Sequence, residues 1–126
     1  WERISKSASD PDSAVRASTI AAIDEAPIRH ATPVIIRLVR DLDPDVALEA
    51  SRQLRRLDDS EILLRISRPL LQNGSSGVKI HTIDALSQIE DGRVVPLIVS
   101  MFEDSDENVR SAAQQAIEHL KRIASA

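Results

Sequence analysis

The chain has 126 residues, 42% hydrophobic and 29% charged, enough for one domain with its own core and unlike a disordered chain. Its net charge of −4 opposes a phosphate backbone, its 2% aromatic content leaves no ring platform for bases or flat cofactors, and its lack of cysteine removes disulfides and thiolate chemistry. No run of about 18 apolar residues offers a membrane span and no signal-peptide pattern leads the chain, so the default expectation is a soluble cytoplasmic protein, processed or cut from something longer because no Met precedes Trp1.

In chain order, the first strong helix signal is Asp10-Pro11-Asp12-Ser13-Ala14-Val15-Arg16, followed by Val15, Thr19, Ala22 and Ile23 at the spacing of one helical face. Its aspartates supply acceptors for the free amides of a helix start. Next come Val34, Ile35, Leu38 and Val39, a helix with Pro33 expected in its first turn, where a missing N–H costs nothing. The turn Asp41-Leu42-Asp43-Pro44-Asp45-Val46-Ala47 then opens a helix carrying Val46, Ala50 and Leu54, with Leu57 further on. In the following segment Pro69 predicts a kink or break near Arg68, and Asn73-Gly74-Ser75-Ser76-Gly77 predicts a looser corner before Val78, Thr82, Ala85 and Leu86. Gly92 suits a left-handed helix stop. Val94, Leu97, Ile98, Met101 and Phe102 form the next face, with Pro96 in its first turn. Asp104-Ser105-Asp106-Glu107-Asn108-Val109-Arg110 opens the last helix, with Val109, Ala113, Ala116 and Ile117 inward and Glu118 to Arg122 as a polar cap.

The four valines, 15, 46, 78 and 109, stand 31, 32 and 31 residues apart, so the chain reads as four two-helix repeats, approximately 1–27, 28–58, 59–90 and 91–126, in a single all-α domain. One such hairpin cannot bury its apolar face alone, so each must stack on its neighbour. The repeated proline, the Asp-x-Asp-Pro-Asp-Val and Asp-x-Asp-Glu-Asn-Val turns, and the basic residue after valine in Arg16, Lys79 and Arg110 resemble the HEAT-like repeat family, in its short bacterial form also found in bilin lyases. Ala47 departs from the basic position. The resemblance covers nearly the whole chain and implies a right-handed α-solenoid with second helices on the concave side. It implies protein binding first; nucleic-acid binding, or a non-catalytic part of a bilin-lyase-like enzyme, are the alternatives.

No chemistry competes with that reading. Residues 104–108 place oxygen donors like a calcium loop, but Val109 stands where a glycine is needed and Gln115 where a bidentate glutamate belongs. His30, His81 and His119 are spread too widely to share a metal and read as surface histidines. The Gly74–Gly77 stretch lacks the lysine and spacing of a phosphate loop, and no nucleophile elbow is present. We therefore expect no catalytic residue, cofactor or metal.

The expected contact surface is the outward side of the second helices. Two positions beyond each valine, about 200° around the helix, stand Ala17, Leu48, Ile80 and Ser111. Leu48 and Ile80 there suggest neighbouring apolar contacts. Glu49, Arg52 and Arg56 would surround the first, His81, Asp84 and Gln88 the second, and Gln115 and His119 would extend the strip. The partner expected is another protein or another domain; the acidic balance argues against nucleic acid. Should Arg52, Arg55 and Arg56 cluster freely, an acidic segment or an anion would fit them.

Overall fold

The computed structural model describes residues 2–125, which are all-helical, with no strand among them. They divide after Leu57 into two compact units. The first holds α1 (Glu2–Ser7), α2 (Ser13–Ile23), α3 (Ile28–Leu38) and α4 (Pro44–Arg52), the last running into a 3-10 turn, Gln53–Arg56. The second holds α5 (Ser60–Asn73), α6 (Ser76–Leu86), α7 (Val94–Val99) with a 3-10 turn at Ser100–Glu103, and α8 (Glu107–Ser125).

Each second helix starts where the valine register places it, three residues inside a side-chain cap. Asp12 accepts from the Ala14 amide at 2.9 Å, Asp43 from Asp45 at 2.9 Å, Ser75 from Val78 at 3.4 Å, and Asp106 from Asn108 at 2.7 Å. Each pairing satisfies an amide that has no carbonyl partner within the helix. Val46, Val78 and Val109 are buried and Val15 half-buried, while Ala22, expected inside, is exposed.

Within each unit the hairpins lie side by side. In the first, α1 packs on α3 and α2 on α4; in the second, α5 packs on α7 and α6 on α8. First helix meets first and second meets second, as stacking of equivalent apolar faces requires. Ile23, Ile35, Leu38 and Leu54 fill the first core; Leu63, Ile83, Leu86 and Ile98 fill the second. The buried hydroxyls of Thr19, Ser67 and Thr82 donate to the carbonyls of Val15, Leu63 and Val78 in their own helices, so they pack as small residues with no unmet polar group.

A charge pair ties the two hairpins of each unit together. Arg16 donates to Asp41 at 2.7 Å, and Lys79 to Asp104 at 2.7 Å, both across 25 residues of sequence. The same two carboxylates accept the amides of Asp43 and Asp106. At Asp104 the Lys79 hydrogen bond comes first and the Asp106 amide second in holding the carboxyl below its ordinary pKa. At Asp41 burial pushes the other way, but the Arg16 and amide hydrogen bonds outweigh it.

Three local expectations are corrected. Pro33 is not in a first turn: α3 begins at Ile28, because the extended Pro27 (ψ 145°) supplies the start and Ala31 adds a buried residue to the stripe. Pro69 does not break α5, which runs unbroken from Ser60 to Asn73. The ring lies on the exposed side, where the carbonyl freed by its missing N–H can be hydrated. Gly92 is not the left-handed stop expected of it, and Gly74 has no positive φ either. Gly74 serves by its size instead, since a Cβ there would stand 2.5 Å from the Leu70 carbonyl oxygen, which accepts the Gly74 amide at 2.9 Å.

Candidate functional site: the outer face of the second helices

In the second unit α6 and α8 run side by side because Thr82, Ala85, Ala113 and Ala116 are small enough for close approach and are buried between the helices' neighbours. The outer edges of the two helices leave an open groove of about 420 Å³. Ile80, His81, Asp84, Gln88, Gln115 and His119 all line it, so the six sequence-chosen residues of this unit converge on one surface. Ile80, Ile83, Ala112 and Ala116 provide its apolar part.

The polar rim is held in place by short local bonds. Gln115 donates to the Ser111 hydroxyl at 3.3 Å and Gln88 to that of Ser87 at 3.3 Å. His81 and Asp84 are half-buried and neither lacks a partner. Ile80 is also half-buried, so the position is outside the core stripe without being a fully exposed knob. Sequence reasoning missed Arg122, which lines the same groove three residues beyond His119 and one helical turn along the same face.

In the first unit Leu48 is half-buried on α4, while Glu49 and Arg52 are exposed and pair at 3.4 Å. Arg56 has a different task. Its guanidinium donates to the carbonyls of Ile23 and Ala26, both at 2.9 Å, and so closes the C-terminal end of α2. The free cluster of Arg52, Arg55 and Arg56 is not formed: Arg52 meets Glu49, Arg56 meets backbone, and Arg55 also has a partner.

The three histidines are half-buried, and His81 and His119 reach the open groove. At His30 burial, then the charge of Arg29, holds the imidazole below its ordinary pKa. Among the described residues no three His, Asp or Glu side chains assemble a metal site. The aspartates of the calcium-like stretch are occupied structurally: Asp104 serves Lys79, and Asp106 is lowered in pKa first by a hydrogen bond from Ser76 and then by the Asn108 amide. No helix among the described residues is long and apolar enough to cross a membrane.

No curated protein matches the chain. The family model for HEAT repeats does match, over residues 31–118, from the first turn of α3 to just past the middle of α8. With more than half of its length so matched, on hairpins stacked first helix to first and second to second, the chain belongs to the HEAT repeat family, whose repeats generally mediate protein–protein interaction.

Proposed function

We propose that this chain is a non-catalytic scaffold or regulatory module that holds another protein, or another domain of a longer chain, on the outer face of its second helices. The observation that carries the reading is the convergence of Ile80, His81, Asp84, Gln88, Gln115 and His119 on the single α6–α8 groove. An apolar floor with a rim of amides, imidazoles, one carboxylate and the Arg122 guanidinium suits a polypeptide, which offers both apolar side chains and backbone hydrogen bonds. Leu48, Glu49 and Arg52 are the equivalent surface of the first unit.

The test is capture from a source extract, identification of the retained protein, and titration of that purified protein against variants. Gln88→Arg with Gln115→Arg alters exposed residues and leaves folding intact, so binding should fall while the far-UV circular dichroism is unchanged; Ile80→Asp should act in the same direction. Undiminished binding by both variants would remove the groove from the reading. Salt-sensitive binding of a DNA or RNA duplex, lost on Arg52→Ala, would replace the protein ligand by nucleic acid.

A further inference from the structure

The second unit carries another groove, on its first helices, that shares no residue with the α6–α8 surface. We propose that this α5–α7 groove is a separate docking site for an acidic, partly apolar peptide segment of a partner protein.

The groove encloses about 720 Å³, more than its counterpart, and is lined by Glu61, Leu64, Arg65, Arg68, Pro69 and Gln72 of α5 together with Arg93, Pro96 and Leu97. The α5 residues recur at three- and four-residue intervals, so they form one stripe of the helix, distinct from the buried stripe of Leu63, Ser67, Leu70 and Leu71. Leu64 and Leu97 are half-buried, and the rings of Pro69 and Pro96 are exposed beside them. This is apolar surface that the unit's own packing leaves partly uncovered.

Charge decides the occupant. Arg93 is already neutralised, by Glu61 at 2.5 Å and Asp91 at 2.7 Å. Among the described residues Glu61 is the only carboxylate lining the groove, and neither Arg65 nor Arg68 forms an ion pair; with Asp91 counted, three guanidinium groups meet two carboxylates, a net charge of +1. A chain of net charge −4 therefore presents a locally positive lip here, with its two unpaired guanidinium groups on α5. The wall also holds a backbone acceptor. Pro69 has no N–H to give, so the Arg65 carbonyl lacks the amide that the fourth residue along a helix normally supplies.

Carboxylates for the two guanidinium groups, an apolar side chain for Leu64 and Leu97, and an amide N–H for the Arg65 carbonyl are jointly supplied by a peptide rich in Glu or Asp with interspersed leucines. Inorganic phosphate would leave the leucines unused. A nucleic-acid strand would find no aromatic ring to stack on.

The experiment is fluorescence anisotropy with a labelled peptide of alternating Glu and Leu, against otherwise identical Gln–Leu and Lys–Leu peptides, with inorganic phosphate and a DNA duplex as competitors. The Glu–Leu peptide should bind, the other two should not, and Arg65→Glu with Arg68→Glu should weaken binding about tenfold or more. Arg122→Glu, in the other groove, should leave it unchanged. Arg65→Gln with Arg68→Gln gives the same reading if the double reversal perturbs folding. No binding of the Glu–Leu peptide, equal binding of the Gln–Leu peptide, complete competition by phosphate at equal concentration, preference for the duplex, or indifference to both arginine variants would each overturn the assignment. None of these outcomes bears on the variants that test the α6–α8 groove.

Discussion

Replacing Lys79 with Met removes the cation that answers Asp104. Their atoms lie 2.7 Å apart, and the side chains are only 17% and 7% exposed. At an effective dielectric of about 20 the gross attraction is on the order of 6 kcal/mol, most of which is offset by the cost of taking both charges out of water. What remains after truncation is a covered carboxylate with the Asp106 amide, at 3.0 Å, as its remaining hydrogen-bond donor. The expected loss is about 2 kcal/mol, between the near-zero value of exposed pairs and the several kcal/mol of fully buried ones. Arg52→Met is the control: that pair is 3.4 Å long and more than half exposed on both sides, so it should cost less than about 0.5 kcal/mol.

Urea unfolding followed by far-UV circular dichroism measures both. The Asp104 carboxyl titrates lower in the folded than in the unfolded chain, so its contribution is complete above the unfolded value of about 4 and is lost as pH falls through the folded one. The gap between wild type and Lys79→Met should therefore close on acidification below about pH 4. Adding Asp104→Asn to Lys79→Met should recover part of the loss, because the stranded charge is gone and the amide acceptor remains. A Lys79→Met cost equal to that of Arg52→Met, or a gap that widens in acid, would refute the reasoning.

Asp91 is held at about 2, first by the side chain and then by the amide of Arg93. In Arg93→Ala the amide stays and the guanidinium goes, so the Asp91 carboxyl should move up toward its ordinary value of about 4 in a carboxyl NMR titration; a midpoint still near 2 would contradict the assignment. Gly74→Ala should cost about 1–3 kcal/mol in urea, since its Cβ meets the Leu70 carbonyl and the Val78 side chain. Gly92→Ala meets nothing within 4 Å and has no positive φ to strain, so it should be neutral or gain about 0.5 kcal/mol; equal losses at both sites would discredit the contact argument.

The period and the caps were legible because they are local. An Asp or Ser three residues before a valine and the amides it serves lie within one turn, and Asp12, Asp43, Ser75 and Asp106 all act as such. The outer face of α6 and α8 was legible too, since a helical repeat carries equivalent positions into register. Proline and glycine misled, because their rules depend on which side of the backbone faces solvent. Pro69 is tolerated through its exposure, and Gly74 is required by a neighbour's oxygen rather than by its own φ. Arg56 could not be read at all: its carbonyl partners at Ile23 and Ala26 lie 33 and 30 residues away and belong to the backbone, which leaves no complementary residue to notice. The groove between α5 and α7 escaped for a related reason. Arg65 and Arg68 look balanced by nearby acids in the sequence, but Glu61 is spent on Arg93.

The double duty of Asp41 and Asp104 gives the repeats a direction. In each unit the first hairpin offers a cation forward, and the turn that follows answers it with the acid that also secures its own helix start. Within a unit the two hairpins therefore join head to tail, so a duplicate of that pair would arrive with its internal connector already in place. The same coupling constrains length, because an added residue anywhere between cation and acid, which stand 25 positions apart, must be absorbed before the connector can close.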